Sequence, residues 1–104
     1  MAFTQNEGER ITLEEAKTLV GSYRKANDPS VVRSHFVGRT ILEAILAQQG
    51  CVGVRALYGL DDSGQKQLIL VGVNSDETNQ LTGIIADRFP PCPPSCSVKD
   101  ELSE

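Results

Sequence analysis

The sequence predicts an α+β fold in which two N-terminal helices pack on a small antiparallel sheet and a proline-rich strap follows. Three observations predict it. A capping box precedes an amphipathic run near residue 13, a second helical run covers 40–47, and the apolar period switches to two directly after Gly50. A chain of 104 residues fits one domain and buries roughly 60–70% of its unfolded surface, so one modest core is expected. That domain is placed at 11–96, between a flexible N-terminal tail, 1–10, and a flexible acidic C-terminal tail, 97–104, both with almost nothing to bury.

Thr12 is the expected N-cap of the first helix, because Glu15 stands three residues on and can return a bond to the cap backbone. Leu13, Ala16, Leu19, Val20 and Tyr23 keep helical spacing, which predicts one stripe facing the core, and Asn27-Asp28-Pro29 stops the helix. In the second helix Ile41, Leu42, Ile45 and Leu46 recur at i, i+1, i+4 and i+5, and Gly50 ends it.

Val52, Val54, Ala56 and Tyr58 then alternate with their neighbours, Asp61-Asp62-Ser63-Gly64 has turn chemistry, and Gln67 to Val73 is apolar enough to be covered on both faces. This predicts an antiparallel hairpin over 52–73. A two-stranded sheet alone is marginal in water, and the β-branched pair Ile84-Ile85 predicts a third strand over 81–87.

Residues 89–96, Phe-Pro-Pro-Cys-Pro-Pro-Ser-Cys, can form neither helix nor central strand, since each proline fixes φ and donates no hydrogen bond. In extended polyproline geometry Cys92 and Cys96 would stand roughly 12 Å apart. A disulfide or a shared metal therefore requires a turn, placed at Pro94-Ser95. An odd number of cysteines in a chain without a signal peptide argues for the cytoplasm, and for free thiols or metal ligands over a disulfide scaffold. Cys51, Cys92 and Cys96 with His35 give Cys₃His stoichiometry for zinc, although C-x₃-C is not among the stronger zinc spacings. A redox role for the pair would need a cation nearby, and only Arg88 and Lys99 are close in sequence. Against both stands a rigid strap, anchored by Phe89, that shields a sheet edge.

The net charge of −4 and the scarcity of aromatic residues argue against a nucleic-acid partner, and no apolar run approaches the roughly 18 residues that cross a bilayer. One stretch is basic. Arg24, Lys25, Arg33 and Arg39, opposed only by Asp28, adjoin the start of the second helix and offer a place for an anion. Arg55, flanked by apolar strand residues, is expected to pair with Asp87. Asn74, Asp76 and Thr78 alternate oxygen atoms, but no glycine stands sixth and no glutamate twelfth, which excludes an EF-hand. His35 has no identifiable orienting acid, and P-loop, dinucleotide and nucleophile-elbow motifs are absent, so no catalytic residue is assigned.

Gly50-Cys51-Val52-Gly53-Val54-Arg55, Leu70-Val71-Gly72-Val73, Ile84-Ile85-Ala86-Asp87-Arg88 and Pro91-Cys92-Pro93-Pro94-Ser95-Cys96 together resemble a small family of bacterial proteins with no assigned activity. The resemblance spans roughly 39–96 and implies a bacterial source. The glycine-ended helix, Val-Gly-Val strand and acidic turn are also similar to the opening of roadblock-type dimerisation domains, whose remaining elements do not fit in the residues left. The function expected is a non-enzymatic module that binds a protein partner or a second copy of itself. Its competitor is a zinc or redox site built from Cys51, Cys92 and Cys96.

Overall fold

The computed structural model describes residues 2–102 and contains α1 (Leu13–Ala26), β1 (Ser34–His35), α2 (Arg39–Leu46), β2 (Cys51–Leu60), β3 (Lys66–Asn74), β4 (Ile85–Ala86) and β5 (Pro91–Cys92). The class is mixed α+β. The expected C-terminal tail extends past the described residues at Ser103 and Glu104. The chain divides into two compact units: Val37–Phe89 with the described residues of Met1–Gly8, and Glu9–Phe36 with Pro90 onward. Among the described residues no helix is long and apolar enough to cross a membrane.

In the first unit β2, β3 and β4 form an antiparallel sheet in that order. The β2–β3 pairing runs from Cys51↔Asn74 to Leu60↔Lys66 and realises the expected hairpin. Its turn is built as the residues require. The Asp61 carboxylate accepts from the Ser63 and Gln65 amides at 2.9 Å, and Gly64 takes the positive φ of +84° that the turn needs. Hydrogen bonds to the charged form, the Ser63 hydroxyl first and the Gln65 amide next, hold the Asp61 carboxyl below its ordinary pKa.

Helix α2 contributes Ile45, wholly buried, to a core with Leu70 and Phe89, and half-buried Val37, Ile41, Leu42, Leu68, Ile84 and Ala86 complete it. Leu70, Val71, Gly72 and Val73 are all buried, so the middle of β3 is covered on both faces, as its unbroken apolar run predicts.

The third strand is shorter than expected. Only Ile85 and Ala86 pair with β3, at Val71 and Leu70, while residues 81–83 form turns closed by Leu81 N to Asn79 O and Gly83 N to Gln80 O. Glutamines cause this. Gln80 is drawn onto β3 through its backbone bond to Gly72 O, and its side chain reaches Asn74 and the Gln49 carbonyl. Gln48 in turn donates to Gln80 and accepts from Ile84 N at 2.7 Å. Side-chain amides thus satisfy backbone groups that a longer strand would have paired. Gly72 sits against this cluster, where an added Cβ would meet the amides of Gln48 and Gln80.

The N-terminal segment is held at one point. Phe3 N donates to Ser75 O at 2.8 Å, and the Phe3 ring lies 5.8 Å from the Arg55 guanidinium, within cation–π range.

In the second unit α1 begins with the expected reciprocal cap, Glu15 N to Thr12 Oγ1 at 3.1 Å and Thr12 N to Glu15 Oε1 at 3.5 Å. Its apolar stripe is not buried: no α1 residue is, and Leu19 is 63% exposed. The sheet of this unit is two residues wide on each strand, β1 antiparallel to β5, too little to cover a 14-residue helix face. Helix α2 packs on the sheet of its own unit as expected, and the α1 stripe is not buried.

Candidate functional site

The second unit carries the chain's most concentrated chemistry, at the proline ribbon. Ser34 pairs with Cys92 and His35 with Pro91, and the ladder continues through Arg33 N to Cys92 O at 2.7 Å and Phe36 N to Pro90 O at 2.9 Å. Prolines are tolerated because a two-stranded ribbon leaves one side of β5 without a partner. Beyond β5 the chain reverses over Pro93-Pro94-Ser95, with Ser95 N donating to Pro91 O and Cys96 N to Pro94 O, and the Cys92–Pro93 and Pro93–Pro94 bonds are cis.

This turn joins Cys92 and Cys96 in a disulfide with their Cα atoms 4.7 Å apart. The pair is not left as free thiols, contrary to expectation; the turn that extended geometry lacks lies one residue earlier than proposed and closes the gap. The two sulfurs differ in access. Cys92 is 1% exposed, whereas Cys96 is open to solvent.

Arg33 supplies charge. Its Nη2 stands 3.9 Å from the Cys92 sulfur and 4.0 Å from the Cys96 sulfur, while its buried Nε has no hydrogen-bond partner. The β1–β5 ladder sets this position, because the bond from Arg33 N fixes its backbone beside Cys92. Next to the disulfide, Ser34, His35, Phe36, Pro90, Ser95, Cys96 and Ser97 line a cleft of about 490 Å³. Phe36 is 67% exposed there, and His35 Nε2 is buried without a partner.

The other expected site residues have separate surroundings. Cys51 is a free, half-buried thiol that donates to Gly53 O at 3.1 Å, and among the described residues no three His, Cys, Asp or Glu side chains stand together as metal ligands. Of the basic set, Arg33 lies on the sulfurs, Arg39 is 3.7 Å from Glu43, and Arg24 is half-buried in the last turn of α1. Phe89, expected as the apolar anchor of the strap and as a candidate binding residue, is buried in the core with Ile45 and Leu70.

Arg55 does not pair with Asp87. It donates to Asn79 Oδ1 at 2.5 Å and to the Glu77 carbonyl at 3.3 and 3.4 Å, while Asp87 is exposed. Register explains the exchange: Arg55 faces Val71 across the ladder, and β3 separates it from the strand that leads to Asp87. The 74–79 turn, tied back by the Val73↔Asn79 bridge, brings its own acceptors to Arg55.

Sequence reasoning sought the cation beside the cysteines at Arg88 and Lys99. The one the fold supplies lies 59 residues before Cys92, and alternation in 33–36 is too short to mark it. No protein-family model, curated protein or solved structure matches this chain.

Proposed function

We propose that Cys92–Cys96 is a redox-active disulfide that exchanges with protein thiols, and that Arg33 favours its reduced form. The observation that carries this is one guanidinium at both sulfurs of a disulfide whose second sulfur is open to solvent. Thiolates are the nucleophiles and leaving groups of exchange, and an adjacent cation stabilises them. A cytoplasmic setting, expected from the sequence, agrees with this reading, because disulfides found there are usually transient and redox-linked.

The step balances with a substrate dithiol as reductant. One substrate thiolate attacks a ribbon sulfur, the S–S bond breaks, and its electron pair stays on the departing cysteine beside Arg33. The second substrate thiolate then attacks the substrate sulfur of the mixed disulfide and releases the remaining ribbon thiolate. The substrate ends as a disulfide, two electrons poorer, and the ribbon as a dithiol that takes up the protons. Equilibration against glutathione buffers, followed by alkylation and mass measurement, tests it. The Cys92/Cys96 couple is expected between about −120 and −270 mV, the range of exchange proteins. A pair that stays oxidised below about −300 mV is a structural clip. Stoichiometric zinc in protein purified reduced and without chelator would transfer the site to metal binding.

A second reading, association through the sheet, is supported by β2. Among the described residues it pairs with β3 alone, runs ten residues and exposes Val54, Leu57, Tyr58 and Leu60. Long apolar edges template pairing with another chain, and the partner proposed for this edge is a second copy. Light scattering over a concentration series is expected to give a dimer whose formation Leu57→Lys abolishes. A strict monomer removes this reading.

A further inference from the structure

Resting on the redox reading, we infer that the exchange has a direction: Cys96 is the sulfur attacked and Cys92 the thiolate released, and the substrate is a cysteine in an extended protein segment with an apolar neighbour. An attacking thiolate must approach along the S–S axis, on the far side from the sulfur that leaves. Cys96 is exposed and lines the cleft, whereas Cys92, 1% exposed, offers an attacker no access. The arrangement is also right for departure. In the disulfide Arg33 Nη2 stands 3.9 Å from the Cys92 sulfur and 4.0 Å from the Cys96 sulfur, so a cation is at hand for a thiolate released at Cys92, and the direction rests on access.

Cleft chemistry selects the substrate class. Phe36 presents most of its ring to solvent beside Cys96, a position that an apolar side chain next to the substrate cysteine would cover. Among the described residues strand β1 pairs with β5 alone, and its other edge is where an extended peptide would lie. Glutathione has two carboxylates and no apolar side chain to set against Phe36, so it is the weaker substrate.

By microscopic reversibility the sulfur attacked on reduction is the nucleophile on oxidation, so single-thiol variants report on it. Reduced Cys92→Ser and Cys96→Ser, each checked for native circular dichroism, are mixed with a hexapeptide disulfide carrying Phe beside its cysteine, and separately with glutathione disulfide. Cys92→Ser is expected to form the peptide adduct at least about tenfold faster than Cys96→Ser, since access governs the rate. Phe36→Ala, made in the Cys92→Ser background, is expected to lower the peptide-to-glutathione rate ratio by roughly tenfold, the usual scale for one lost apolar contact. In wild-type protein, acid quenching early in reduction by the peptide dithiol, followed by fragmentation mass spectrometry, should place the adduct on Cys96. An adduct on Cys92, or equal rates in the two variants, overturns the assignment even where the glutathione titration supports exchange. An unchanged ratio in the Phe36→Ala background overturns the substrate class. Inert thiols in both variants, with a wild-type pair that stays oxidised throughout the glutathione titration, overturn the redox reading itself.

Discussion

Arg33→Met is expected to shift the exchange equilibrium of Cys92–Cys96 roughly tenfold toward the disulfide, read against glutathione, while Arg33→Lys keeps most of the wild-type value. A unit charge pair 4 Å apart is worth about 1 kcal/mol in water and about 4 kcal/mol near a protein surface, so a tenfold change, about 1.4 kcal/mol, is the lower part of that span. The lower part applies because Cys96 is solvated, although Cys92 is not. Added salt should shrink the difference between the wild-type protein and the Arg33→Met variant, as screening reduces an exposed charge interaction. Methionine fills similar space and leaves no hydrogen bond broken at Nε, which has no partner. The melting temperature of the oxidised protein should therefore move little while the equilibrium moves tenfold, a split that a purely structural arginine would not produce. An unchanged equilibrium would reduce Arg33 to packing.

Ile45→Ala is expected to lower stability by about 2–5 kcal/mol, measured by urea unfolding with the slope unchanged. Ile45 is wholly buried against Leu70 and Phe89, and its truncation leaves a cavity where α2 meets the sheet. The matched control is Leu19→Ala. Leu19 occupies an equivalent place in the apolar periodicity of α1 but is 63% exposed, so its loss should stay within about 0.5 kcal/mol. An equal loss at the two positions would show that the α1 stripe is covered in solution.

These two leucine and isoleucine positions show how far sequence patterning reaches. Periodicity says which side chains share a face, and it was right for both helices; it carries no information about whether anything packs on that face. The same division runs through the turns. Thr12 with Glu15, and Asp61 with Ser63 and Gln65, are local arrangements whose partners are a few residues apart, so residue types and spacing suffice to specify them. The third strand fell short of its expected length for the opposite reason. Ile84 and Ile85 have strand propensity, but Gln48, 36 residues earlier, claims the Ile84 amide.

The candidate site divides likewise. That residues 89–96 form a rigid non-helical ribbon, and that its two cysteines meet only if it turns, follows from proline geometry and was legible. That the turn exists, that one cysteine is buried and the other open, and that Arg33 rather than Arg88 or Lys99 stands beside them was not. Arg55 makes the same point: its need for acceptors was visible in its apolar flanks, and their identity was not.

By itself the chain's sequence determined its α+β class, the capped first helix, the hairpin and the stiffness of the cysteine ribbon, because each depends on neighbours within a turn or on strand alternation. Tertiary structure alone decided the pairing of the sulfurs, their unequal access and the cation beside them. Those depend on strand register between segments some sixty residues apart, which no local spacing encodes.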